Sequence, residues 1–182
     1  MNGFNQFKNM LANLESGNNY KAVNASSGAL GKYQFLPTTL NALQSAYNLP
    51  NWYNEFIFLN SPDLQELYFN KHIADLTLFI DNNNLRRFVG TPVSSSKRFR
   101  HINTSIGFYG LLAGAHLAGT GNLLKYLENG YNPDDGSTSL SDYIAYFSKG
   151  SPGMLFQPAY SGGYLIPLVT LAFVSLVFLY YE

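Results

Sequence analysis

Apolar side chains recur at helical spacing through most of the first 150 residues. Phe4, Phe7, Leu11 and Leu14 follow one another at intervals of three, four and three, which aligns them on one face of a helix ending near Gly17. Pro37 to Asn48 predicts a second helix with Leu40, Leu43 and Tyr47 on one side. Ser61, Pro62 and Asp63 form a start signal, because a hydroxyl can cap, a proline needs no N–H partner in the first turn, and an acid suits the positive end of the dipole. The third helix then runs to about Ile80. Ser105 to Leu117, Gly121 to Glu128 and Leu140 to Ser148 predict three more, the last two followed by Gly130 and Gly150, which can adopt the left-handed geometry that ends a helix. Strand-type alternation is scarce. The expected fold class is therefore mainly α, a compact helical domain with at most a small sheet confined to residues 18–34.

The pattern changes abruptly after Lys149. No charged residue occurs between Lys149 and Glu182, and residues 164–181 read YLIPLVTLAFVSLVFLYY. A helix of this length reaches about 27 Å, close to the hydrocarbon thickness of a bilayer. Pro167 falls in its first turn, and Tyr164, Tyr180 and Tyr181 sit at the ends, where amphipathic rings favour the interface. A C-terminal transmembrane helix over 164–181 is expected, with a buried helix of a soluble fold as the alternative. Residues 151–163, rich in Ser, Gly and Pro, read as a linker, which leaves 1–150 as the folded domain. The N-terminus lacks the apolar core of a cleaved secretory leader. With so few flanking charges, the orientation in the membrane stays open.

Composition narrows the chemistry. Of 182 residues only 12% are charged, while 46% are apolar and 16% aromatic, which excludes a disordered chain. The 1–150 domain holds all eleven basic residues and ten of the eleven acids. So small a net charge argues against a nucleic-acid partner. The chain has no cysteine, which removes disulfides, thiolate metal sites and thiol nucleophiles. His72, His101 and His116 are scattered in the sequence, so neither a metal nor another cofactor is expected.

Candidate chemistry concentrates at Glu15. A carboxyl at the C-terminal end of a helix, beside apolar side chains, lacks a favourable dipole and is desolvated, so its proton is held to higher pH. That property suits a general acid. The alternative is a solvated surface glutamate. After Glu15-Ser16-Gly17 come a polar stretch and then Gly28-Ala29-Leu30-Gly31-Lys32-Tyr33-Gln34-Phe35-Leu36-Pro37-Thr38-Thr39. A third segment, Gly114-Ala115-His116-Leu117-Ala118-Gly119-Thr120-Gly121, lies farther on, ahead of a G-x-x-x-D-D-G-S-T-S…DY…F stretch over 130–147.

Together these segments, spread over about residues 4–147, resemble the signature of lytic transglycosylases and goose-type lysozymes, and most closely a phage virion-associated branch that cleaves peptidoglycan. The resemblance implies a lysozyme-like α+β fold. It matches Glu15 to the family's catalytic acid, Gln34 and the backbone around Tyr33 to the strip that holds the sugar's polar groups, and Ser26 to a serine near the catalytic carboxyl. His116 stands where the family motif has tyrosine and Leu117 where it has asparagine. These departures leave His116 either as a donor to Glu15 or substrate, or as a core histidine satisfied by backbone. Tyr20, Tyr33, Phe35 and Trp52 are candidates to stack on sugar faces, with core packing as the alternative. Gly28, Gly31 and Gly119 are expected to serve backbone geometry.

Hydrolytic glycosidases usually need two carboxyls, about 5–5.5 Å or about 6.5–9.5 Å apart. Here one acid sits in the motif, and Asp63, Glu66 and Asp75 read as helix caps or solvated faces. The resemblance implies a reaction that uses one: Glu15 protonates the bond between N-acetylmuramic acid and N-acetylglucosamine, the N-acetyl group assists, and a 1,6-anhydro sugar forms. Expected partners are peptidoglycan strands, a bilayer through 164–181 and other virion proteins. The expected location is the membrane of a lipid-containing phage virion, or else a bacterial membrane. A hydrolytic muramidase and a non-catalytic glycan-binding or structural virion protein are the alternatives. Arg86, Arg87, Lys97, Arg98, Arg100 and His101 fill a stretch without acids and predict an exposed basic loop, facing lipid or the anionic wall if it is more than a solvated surface.

Overall fold

A computed structural model describes residues 3–149, except 53, 100 and 135. It is mainly helical. The order is α1 (Gly3–Ser16), α2 (Pro37–Tyr47), α3 (Glu55–Leu59), α4 (Pro62–Asn82), a 3-10 turn (Leu85–Phe88), β1 (Pro92–Ser94), β2 (Asn103–Ser105), α5 (Phe108–Ala118), α6 (Thr120–Asn129) and α7 (Leu140–Lys149). The six helices expected from periodicity are present, with ends shifted by up to three residues. The short α3 has no counterpart among the expected helices; it starts where the Asn54 side chain accepts from the Ile57 N–H.

α5 is the hub of the core. Nearly all of it is buried, and α4, α6 and α7 surround it. Two glycines let α7 approach closely. A Cβ at Gly110 would stand 2.1 Å from Ser148 Oγ and 2.7 Å from the Ile144 carbonyl, and one at Gly114 would stand 2.9 Å from Ile144 Cγ1. The Gly107 N–H donates to Ser148 Oγ at 2.8 Å, fixing the end of α7 to the start of α5. Phe7 of α1 stacks on Tyr109 of α5 at 5.0 Å between ring centroids and meets Phe147 of α7 edge-on. The apolar stripe of α1 is thereby buried against both helices.

The sheet lies elsewhere than expected. Residues 18–34 form a chain of tight turns with isolated bridges at Val23–Leu30 and Leu30–Phe35. Their Asn and Ser side chains satisfy backbone groups locally: Asn24 Oδ1 accepts from the N–H groups of Ser26 and Ser27. The antiparallel pair is β1–β2, with Val93 opposite Thr104; β1 falls inside the 86–101 stretch expected to be a basic loop, and β2 follows that stretch. Only Val93 of β1 turns inward, so three-residue strands reading Pro-Val-Ser and Asn-Thr-Ser show no apolar alternation to detect.

No described helix is long and apolar enough to cross a membrane. The expected linker 151–163 and membrane span 164–181 fall outside the described residues.

Candidate active site around Glu15

α1 ends one residue after Glu15, and the ending sets the carboxyl's position. Gly17 and Asn18 both take left-handed backbone, φ 65° each, and their N–H groups donate back to Asn13 and Ala12. Ser16 Oγ accepts from the Asn19 N–H and donates to the Lys32 carbonyl at 2.8 Å. The 31–35 turn is thus tied to the residue next to Glu15. Gly31 has no room for a side chain: its φ is +75°, and a Cβ would lie 2.2 Å from Gln65 Oε1. That oxygen accepts from the Lys32 N–H at 2.8 Å, while Gln65 Nε2 donates to the Tyr20 and Phe58 carbonyls. Gln65, buried on α4, therefore holds the turn from behind; nothing in the motif reading pointed to it.

Glu15 keeps partial access to solvent. Tyr143 of α7 donates its hydroxyl to Glu15 Oε1 at 2.9 Å, the one hydrogen bond to this carboxyl among the described residues. Burial pushes the carboxyl up to about 7, against the smaller downward effects of the Tyr143 bond and the Arg98 charge. At neutral pH the group is poised to give or take a proton. Tyr143 belongs to the DY pair of the 130–147 stretch, so its position was visible in the sequence but its role was not.

The neighbouring acid does a different job. Asp142 is fully buried and accepts four hydrogen bonds: Oδ1 from the N–H groups of Ser96 and Lys97, Oδ2 from the N–H and hydroxyl of Ser139. Burial alone would raise its pKa, but these bonds lower it below the usual aspartate range. Asp142 clamps the β1–β2 hairpin to the start of α7, one residue from the partner of Glu15.

The other sequence candidates divide. Tyr33 is buried, stacked on Phe69 at 3.9 Å between centroids, with its hydroxyl 2.9 Å from both oxygens of Glu66. Phe35 is buried against Tyr33, His72 and His116. Trp52 is buried too and donates to Asn41. These rings are core. Tyr20, half-buried, donates to Glu66 at 2.7 Å. Gln34 has φ 49° and folds its amide back, donating from Nε2 to the Gly31 carbonyl at 2.9 Å. Ser26 is exposed in its asparagine-bridged turn and makes no bond to Glu15.

His116 takes the backbone-satisfied form. Its Nε2 lies 3.2 Å from the Tyr33 carbonyl and its Nδ1 lies 3.1 Å from His72 Nε2. A carbonyl only accepts, so His116 donates from Nε2; its Nδ1 then accepts from His72. Both rings are neutral in this chain of bonds. Burial, partly offset by the carbonyl, brings His116 down to about 4, and burial with the His116 ring brings His72 well below the imidazole range. Histidines 44 residues apart in sequence are thus paired between α4 and α5. Among the described residues, no group of three or more His, Asp or Glu could hold a metal.

Glu66 and Asp75 are neither caps nor solvated faces. Glu66 pairs with Lys8 and with Lys32, the latter at 3.1 Å. Asp75 is half-buried, takes a hydrogen bond from Tyr47 of α2, and is raised by burial. Asp63 alone of the three is exposed in a first helical turn. Comparison with protein-family models, with curated proteins and with solved structures returns no match to this chain.

Proposed function

We propose that the chain is a membrane-anchored peptidoglycan lytic transglycosylase with a lysozyme-like domain, acting in local wall opening during entry of a lipid-containing phage. The reading rests on the three-segment resemblance and on one observation: Glu15, partly open to solvent, is raised to about 7 by burial and accepts a hydrogen bond from the Tyr143 hydroxyl. A group so poised can begin a reaction as acid and end it as base.

Glu15 donates its proton to the glycosidic oxygen as the bond to the muramoyl C1 breaks. The muramoyl N-acetyl oxygen stabilises the cationic centre, the C6 hydroxyl attacks C1, and Glu15 takes up the hydroxyl proton. No water is consumed and the carboxyl returns to its starting state. The engaged state of the nearby acid favours such a single-carboxyl route. Asp142 has both oxygens committed to the hairpin, and Glu66 is bound by two lysines. Gln34, the one residue of the 31–35 turn that is not buried, offers its amide oxygen to the sugar, while Tyr33, Phe35 and His116 pack beneath it. The apolar 164–181 run supplies the anchor.

The test is mass spectrometry of purified peptidoglycan digested by the full chain in detergent. Anhydro-muramoyl ends, lighter than reducing ends by one water, are expected from the wild type and not from Glu15→Gln. Reducing ends would make the enzyme a hydrolase. No cleavage by the wild type would leave a non-catalytic module.

A further inference from the structure

The basic stretch 86–101 is largely neutralised. Arg86 pairs with Asp81, Arg87 with Glu128 and Lys97 with Asp134. These acids come from α4, α6 and the loop before α7, which is why the sequence stretch alone looked uncompensated. Arg98 differs. It is exposed and has no carboxylate partner among the described residues. Its guanidinium lies over the Phe99 ring, 5.5 Å from the centroid.

This arginine is anchored next to the candidate catalytic group. The two N–H groups immediately before it, from Ser96 and Lys97, are held by Asp142. The next residue in the chain, Tyr143, holds Glu15. Phe99 closes the arrangement, stacked on Tyr146 at 4.2 Å and edge-on to Tyr143 at 6.3 Å between centroids. One turn of α7 therefore fixes both the acid and an outward-facing cation, and the charge of Arg98 reaches Glu15. A cation kept unpaired beside a neutral-tuned acid suits a substrate that is anionic near its scissile bond. Of the two sugars in the proposed substrate, only the muramoyl residue bears a carboxylate-carrying substituent.

We propose that Arg98 binds the carboxylate carried by the muramoyl substituent and so selects peptidoglycan over neutral glycans, an assignment that rests on the glycan-cleaving reading of Glu15. The test compares wild type, Arg98→Gln and Arg98→Lys full chains on soluble peptide-bearing glycan strands, on strands stripped by an amidase, and in binding to chitohexaose. Expected for Arg98→Gln is about a tenfold rise in KM on peptide-bearing strands, the size of one charge-assisted hydrogen bond. Its kcat at the pH optimum and its chitohexaose binding stay close to wild type, the alkaline limb of the profile moves slightly upward as Glu15 loses the Arg98 charge, and lysine restores part of the loss. A loss confined to peptide-bearing strands assigns the contact to a carboxylate of the peptide stem; a loss confined to stripped strands assigns it to the lactyl carboxylate that the amidase frees from its amide, and a loss on both means that Arg98 takes whichever carboxylate the substituent presents. Unchanged KM, or an equal loss towards chitohexaose, overturns the proposal. So does a fall in kcat with a displaced pH profile alone, which would mean that Arg98 acts through Glu15. If the wild type neither binds nor cleaves any of these glycans, the reading of Glu15 fails, and the Arg98 contact with it.

Discussion

Glu15 and Glu66 are the same side chain in two partly buried settings, and their protons are held in opposite ways. Both settings involve α1, which carries Glu15 and, two turns earlier, the Lys8 that pairs with Glu66. Burial pushes both carboxyls up. At Glu66 the hydrogen bonds of Lys8, Tyr20, Tyr33 and Lys32 overcome that push and bring it to about 2. At Glu15 one tyrosine and the charge of Arg98 do not, and it stays at about 7. Burial alone does not decide the protonation state; the number of donors gathered around the carboxyl does. One site is built for cohesion and the other holds an exchangeable proton.

Removing the proton from the poised site gives the largest effect. Glu15→Gln keeps the side chain's shape but has no acid to give, so lysis of peptidoglycan is expected to fall by at least about 1,000-fold in a turbidity assay. The fold gains. A carboxyl whose folded pKa lies above the ordinary 4.5 costs stability as pH rises from 4.5 to about 7. The glutamine variant should therefore be more stable than wild type by about 3 kcal/mol in urea melts at pH 8, and close to it at pH 4. Equal stability at both pH values would show that Glu15 is not desolvated.

The same substitution at the cohesive site reverses the sign. Glu66→Gln leaves Lys8 and Lys32 without their counter-charge and weakens acceptance from two tyrosines. A loss of about 2 kcal/mol is expected at pH 7, reduced from a fully buried value because the pair remains partly open to solvent. Because the folded pKa is depressed, the wild-type advantage is fully present above the ordinary carboxyl pKa and disappears as pH falls through about 2. Urea midpoints measured between pH 7 and pH 2 should converge.

What the sequence showed and hid follows the same division. Helices were legible because their apolar spacing and their Pro, Asn and Gly ends are local signals; α2 begins on Pro37 and stops at Asn48 with φ 48°. Glu15 was legible through its motif and helix end. The hub at Glu66 was not, because its donors come from residues 8, 20, 32 and 33 and meet only in space. Nor was the His72–His116 bond, whose members are too far apart in sequence to suggest pairing. The β1–β2 hairpin escaped notice because Asp142, some 45 residues downstream, supplies part of what holds it.

A final pair of variants asks whether donor number is the controlling variable. Tyr143→Phe removes the one hydrogen bond to Glu15 among the described residues, while Tyr20→Phe removes one of several to Glu66. Without the Tyr143 bond the carboxyl's charged form loses support, so its pKa moves up and the alkaline fall in kcat moves to higher pH. The fold should lose about 1 kcal/mol, with Phe keeping the ring contacts to Phe99 and Phe147. Tyr20→Phe leaves Lys8, Lys32 and Tyr33 on Glu66, so the carboxylate stays ionised and the pH–rate profile stays where it was. NMR titration of the two carboxyls, alongside kcat measured from pH 5 to pH 9, separates the cases. A profile that moves equally in both variants would mean that the two glutamates are electrostatically linked through α1, and that donor number at each site does not act independently.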